Sequence, residues 1–109
     1  MKLIVTIPAY NEENSIGDVI REIPRTIDGI DQVEVLVIDD GSTDKTVEVA
    51  QKAGADHIIS QTRNLGLAKT FRNGLNAAVE FGADIIVNTD ADFQYNGTEI
   101  PILLQPIFD

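Results

Sequence analysis

The chain has 109 residues, 43% of them hydrophobic, and its 18 Asp and Glu outnumber 8 Lys and Arg to leave a net charge of −10. That length suits one domain, residues 1–109, with a core of its own, and no composition shift or repeat marks a second. The acidic balance excludes nucleic-acid binding through a basic face, and the lack of Cys excludes a disulfide framework or a thiolate metal site. No apolar run reaches bilayer-spanning length and the amino terminus lacks a signal-peptide pattern, so a cytoplasmic protein is expected, with peripheral membrane contact left open.

Residues 3–7, Leu-Ile-Val-Thr-Ile, read as a buried strand, and Pro8, which has no ladder donor, is expected to end it. Ile16, Val19, Ile20 and Ile23 recur at helical spacing behind Ser15 and Asp18, placed as a capping pair. Residues 33–38 form a second β-branched run. Val47, Ala50 and Ala53 then give a thinner helical stripe behind Ser42 and Thr43, closed by Gly54. His57, Ile58 and Ile59 make a weaker strand. The third helix is predicted over about residues 67–81, with Phe71, Leu75, Ala78 and Val79 on its apolar face and Gly82 as its stop. Ile85, Ile86 and Val87 form a fourth strand, followed by a loop and an incipient helix over residues 100–107. This β-α-β-α-β-α-β order predicts an α/β fold: a Rossmann-like, mostly parallel sheet with right-handed crossovers and helices on both faces.

Three acid-bearing segments follow directly on strands: Tyr10-Asn11-Glu12, Asp39-Asp40 and Asp90-Ala91-Asp92. Parallel strands bring all three to one sheet edge, the edge at which open α/β folds bind ligands. Carboxylates gathered there repel one another unless a cation sits among them, which points to a metal-assisted site for a phosphate-bearing ligand. Asp90 and Asp92, two residues apart in an extended chain, face the same side, and Gln94 can add an amide oxygen. Such hard oxygen donors suit Mg²⁺ or Mn²⁺, with a nucleotide diphosphate completing the coordination. One of Asp39 and Asp40 should point into the crevice, to accept a base N–H or a ribose hydroxyl. Tyr10 offers a flat face to a base and Glu12 an acceptor. Each segment alone also fits a plain turn, with Ser42 or Thr43 capping a helix, Asp44 opposing its dipole and Glu12 and Glu13 decorating a helix start.

In combination and in this order the segments resemble the nucleotide-sugar-dependent glycosyltransferases of family 2, which have the GT-A fold. Residues 7–13, Ile-Pro-Ala-Tyr-Asn-Glu-Glu, look like that family's opening motif, residues 37–44, Val-Ile-Asp-Asp-Gly-Ser-Thr-Asp, like its second, and Asp90-Ala91-Asp92 like its metal-binding Asp-x-Asp. Residues 64–75, beginning Asn-Leu-Gly, are similar to the stretch that enters the third helix. Phe93 and Gln94 after the Asp-Ala-Asp resemble most closely the branch that transfers sugars to polyprenyl phosphates, the dolichol-phosphate mannose synthase type.

The resemblance implies that Pro8, Tyr10, Glu12 and Asp39 hold the nucleoside of a UDP- or GDP-linked sugar, with Asp40 and Ala91 beside them. It implies that Asp90, Asp92 and Gln94 serve the metal and diphosphate, and that sugar passes with inversion to a polyprenyl phosphate. Departures fall at Ala68 and Lys69, where Gly and Ala are frequent, and at Gly97, where Pro is usual. Lys69 and Arg72 are in reach of a phosphate, or are simply solvated on an exposed helix. In the family the Asp-x-Asp lies near the middle of the catalytic domain, so the chain is expected to be the amino-terminal, nucleotide-binding half. Its acceptor half would be absent and apolar sheet surface left for a further segment or a second copy to cover. Two rivals remain: an inactive nucleotide- and metal-binding remnant, and a receiver-type signalling domain. A receiver would carry the Asp pair after its first strand and a later Lys at a strand end, whereas here the pair follows the second strand and no Lys follows Lys69.

Overall fold

Lys2–Ala9 forms strand β1, and its apolar run is continuous because both faces of the strand are covered. The computed structural model describes residues 1–91. The elements that follow are α1 (Ile16–Glu22), β2 (Gln32–Asp39), α2 (Thr46–Ala53), β3 (His57–Ser60), α3 (Leu67–Glu80) and β4 (Ile85–Asn88). All strand pairs are parallel, in the order β3-β2-β1-β4. Period-two alternation divides the core. Leu3, Val5, Ile7, Val33, Val35 and Val37 pack with α1 and α2 on one face, while Ile4, Leu36 and Ile38 pack with Ala77 and Ala78 of α3 on the other. The faces switch because the chain steps outward from β1 to β3 and then crosses back to β4, and right-handed crossovers in opposite directions lie on opposite faces. The strand order therefore reverses between β1 and β4, where a ligand crevice opens in such sheets. The expected fold class is the one observed, down to the weak third strand.

Four local expectations need correction. Pro8 does not end β1; it pairs with Ile38 inside the strand. The carbonyls of Lys2 and Thr6 accept from Asp84 and Thr89 on the β4 side, and that of Ala9 from Asp40 on the β2 side. By this alternation the missing N–H of Pro8 falls on the β4 side, past Asn88 where β4 has ended, so no ladder bond is lost. Ser15 occupies the N-cap position of α1 but makes no side-chain cap, and Asp18 pairs instead with Arg21. The N-cap of α2 is Lys45, not Ser42 or Thr43, and its core stripe is Ala50 with Val49 and Ala53 rather than Val47.

The fourth correction is the buried face of α3. Thr70, Gly74, Ala77 and Ala78 face the sheet, whereas Phe71 is 41% and Val79 65% exposed. The helix lies so close to the sheet that a Cβ on Gly74 would come within 2.7 Å of Ile38 Cδ1. Only small residues fit there, and the large apolar ones are turned to the flank. Val79→Ser should therefore shift unfolding stability by no more than about 0.5 kcal/mol, whereas Ala78→Leu should cost about 1–3 kcal/mol by overpacking. Urea denaturation of the two variants checks this; the reverse ranking would restore the face expected from hydrophobicity alone. The helix expected over residues 100–107 lies outside the described residues. Among the described residues no helix is long and apolar enough to cross a membrane.

Candidate nucleotide and metal site

The loops after β1 and β2 are stitched together by the polar residues of the two motifs. The backbone N–H of Asn11 donates to Ser42 Oγ at 2.8 Å, and that of Thr43 donates back to Asn11 Oδ1 at 2.8 Å. Asn11 reaches this geometry at φ +52°, a region that Asn tolerates better than most residues. The Glu12 N–H donates to Thr46 Oγ1 at 2.9 Å and the Glu13 N–H to Asp44 Oδ2 at 3.3 Å, while the Lys45 N–H donates to Glu13 Oε2. Asp44 also accepts from the hydroxyl and the N–H of Thr46. Desolvation raises the Asp44 carboxyl, but the bonds from Thr46 and Glu13 together outweigh it and hold it below the usual carboxylate value. Ser42, Thr43, Asp44 and Glu13 thus bind loop to loop.

Above this frame lies a cavity of about 420 Å³ lined by Pro8, Ala9, Tyr10 and Glu12 from the first loop, Asp40 from the second, and Asp90 and Ala91 after β4. Six of the seven residues expected at the nucleotide, Asp90 among them, thus line one cavity; the seventh, Asp39, is buried and not part of that lining, its Oδ1 accepting the Ser42 N–H at 3.2 Å. Of the three expected metal ligands Asp90 is half-buried in the wall, and Asp92 and Gln94 lie outside the described residues. Among the described residues no cluster of three or more His, Cys, Asp and Glu stands ready for a metal.

The remaining wall was not foreseen. Asn64, Gly66, Leu67 and Thr70 complete the cavity from the turn that enters α3. That turn follows β3 in a parallel sheet, so its arrival at the same edge was the available signal. Asp40 holds it in place. Although it faces the cavity, its Oδ1 accepts from Leu65 N at 2.6 Å and Gln61 Nε2 at 2.7 Å, and its Oδ2 from Gly66 N at 3.2 Å. Gln61 carries the network on to Thr70 Oγ1 at 3.0 Å and, through its oxygen, to Asn73 Nδ2 at 2.7 Å.

The electrostatics of the wall are one-sided. Among the described residues Glu12, Asp40 and Asp90 line it and no Lys or Arg does; Lys69 and Arg72 are exposed on α3, outside the lining. Among the described residues the charged groups that a phosphate-bearing ligand would meet here are all carboxylates, a donor chemistry that suits a divalent cation between ligand and wall.

Comparison with known proteins agrees with this geometry. The sequence model of the family described as Glycosyl transferase family 2 matches residues 4–109. The chain is 33% identical to the dolichol-phosphate mannosyltransferase of Pyrococcus furiosus, over 98% of its own length and 30% of that protein's. It is 36% identical to the undecaprenyl-phosphate 4-deoxy-4-formamido-L-arabinose transferase of Salmonella choleraesuis, over 94% of its own length and 32% of that protein's. It superposes on glucosyl-3-phosphoglycerate synthase from Mycobacterium tuberculosis, solved with Mn²⁺, UDP and glucosyl-3-phosphoglycerate, with a TM-score of 0.79 and 31% identity, covering 97% of this chain and 39% of that one. The chain spans no more than 42% of the length of these curated relatives and of the first of the others it matches. A parallel sheet reversing between β1 and β4, with its acidic motifs on that edge, and a family match over nearly every residue lead to one assignment: the chain belongs to glycosyltransferase family 2.

Proposed function

We propose that this chain binds the nucleoside diphosphate of a sugar donor together with Mn²⁺ or Mg²⁺, and that the whole protein transfers the sugar, with inversion, to a polyprenyl phosphate. The observation that carries the reading is the cavity at the reversal of the strand order, lined among the described residues by three carboxylates and no cationic side chain. Tyr10 offers a face to the base and Glu12 accepts a ribose hydroxyl, while Asp90, with Asp92 and Gln94 by sequence, serves the metal. When bound, the metal neutralises the charge on the departing diphosphate. Asp39 braces the second loop through Ser42 N and supports the nucleoside from behind. Asp40 shapes the wall through the 61–66 turn. Further support comes from the relatives: two are named for transfer to polyprenyl phosphates, and the superposable synthase was solved with UDP and Mn²⁺. An acceptor that is already an ionised phosphate needs positioning more than deprotonation.

Calorimetric titration tests the donor half of this reading. UDP or GDP should bind at least tenfold more tightly with Mn²⁺ than with EDTA. Asp90→Asn, which keeps the side-chain shape and removes its charge, should abolish that gain in protein that circular dichroism shows to be folded. Folded protein that gives no heat with any nucleoside diphosphate, with or without metal, would overturn it.

A further inference from the structure

We infer that Ser15 is a positioning residue that couples the nucleoside side of the cavity to the metal loop, an inference that rests on the reading of the cavity given above. Ser15 stands at the N-cap of α1, yet its hydroxyl is not spent on the helix. The Glu12 carbonyl already accepts the N–H groups of Ser15 and Ile16, at 3.1 and 2.9 Å, and so closes the first turn from the backbone. The freed hydroxyl reaches across the chain to the carbonyl of Ala91 at 2.6 Å, a contact between residues 76 positions apart, and lies 3.2 Å from Glu12 Oε2. Ala91 is buried, and in the sequence it separates the two acidic residues of the Asp-Ala-Asp segment.

One hydroxyl proton thus has two acceptors, one on each side of the cavity. With the cavity empty the Glu12 carboxylate competes with the Ala91 carbonyl for it. A ribose hydroxyl donating to Glu12 satisfies that carboxylate and leaves the Ser15 proton wholly to Ala91. The backbone at Ala91, next to Asp90, is then fixed before a metal arrives. Because coupling between sites is reciprocal, a metal that fixes the same loop tightens nucleoside binding by the same factor. The coupling passes through protein, independently of any bond from metal to diphosphate.

A nucleoside without phosphates isolates this route. Uridine or guanosine, chosen by which diphosphate the wild-type chain binds, is titrated calorimetrically with and without saturating Mn²⁺. The wild type should bind the nucleoside about fivefold more tightly with Mn²⁺, at the low end of measured couplings. Ser15→Ala should bring that factor to about one, with metal-free nucleoside affinity changed less than about twofold, and Ser15→Thr, which keeps the hydroxyl, should retain the coupling. A residue with only a structural role would shift both titrations together. If Ser15→Ala does not fold, Ser15→Cys, similar in size with a weak donor, is read in the same way. Full coupling in the variant, or none in a wild type whose UDP or GDP binding is metal-dependent, overturns the inference alone. No binding of either diphosphate by folded wild type removes the reading of the cavity and this inference with it.

Discussion

Gly41→Ala should cost about 3 kcal/mol or more, lower the melting temperature by about 10 °C or more, and weaken nucleotide binding at least tenfold. Two effects add at this residue. Its φ of +76° lies in the left-handed region, where a Cβ is penalised by roughly 1–2 kcal/mol. The Cβ would also stand 2.5 Å from the Arg63 carbonyl carbon and 2.6 Å from Asn64 N, backbone atoms that a rotamer change cannot move aside. The turn carrying Asn64, Gly66 and Leu67 would have to shift, and it is one wall of the cavity. Gly66→Ala separates the two effects. Gly66 also has positive φ, +92° with ψ +158°, a region open essentially to Gly alone, but no atom lies within 4 Å of a Cβ built on it, so only the conformational cost of about 1–3 kcal/mol applies. Equal melting temperatures and affinities for the two variants would show that the close approach of residues 41 and 63–64 does not shape the site.

What the sequence made legible was whatever depends on backbone direction. The β-branched runs at residues 3–7 and 33–38 could only be strands covered on both faces, and once parallel they had to deliver Glu12, Asp40 and Asp90 to one edge. What it hid was where polar side chains spend their hydrogen bonds. Ser15 and Ser42 have the composition of helix caps, but Ser15 holds Ala91 and Ser42 accepts from Asn11, because backbone carbonyls and Asp44 had already served the helix starts. Local preference names the donors and acceptors; only the tertiary arrangement names the partners.

The third helix shows the same limit for apolar residues. Hydrophobicity favoured a face of Phe71, Leu75, Ala78 and Val79, yet the sheet accepts Gly74, Ala77 and Ala78. Large residues win when helix and sheet stand well apart, and small ones when they touch, a distance set by Ile38 and Thr6 across the interface rather than by α3 itself. The displaced stripe lies on the flank of α3, and Asn73, on the other flank, bonds Gln61 just after β3. The Phe71 flank is therefore on the side of β4, the edge strand among the described residues, whose Ile85, Ile86 and Val87 are only half-buried.

Asp40→Asn tests which of the paired acids organises the site. The change is nearly isosteric, so any loss reports charge and donor arrangement rather than volume. Three N–H donors, from Leu65, Gly66 and Gln61, converge on the wild-type carboxylate. An amide keeps one oxygen acceptor and sets its own NH₂ against one of those donors, whichever way it is flipped. Losing charge-assisted bonds and opposing a donor to a donor at a residue only 5% exposed should cost about 2–4 kcal/mol, or about 10–20 °C in melting temperature for a domain this small. Nucleotide affinity should fall with it, because Asn64, Gly66 and Leu67 lose their anchor. The Leu65 amide, whose 2.6 Å bond is the shortest of the three, should move strongly upfield in a proton–nitrogen NMR spectrum. Asp39→Asn makes the contrast: among the described residues that carboxylate accepts from the Ser42 N–H alone, at 3.2 Å and three residues on in its own loop, so stability should fall by about 1 kcal/mol. If Asp39→Asn proved the more damaging to the fold, or Asp40→Asn left the Leu65 amide in place, the turn entering α3 would be held by something other than Asp40.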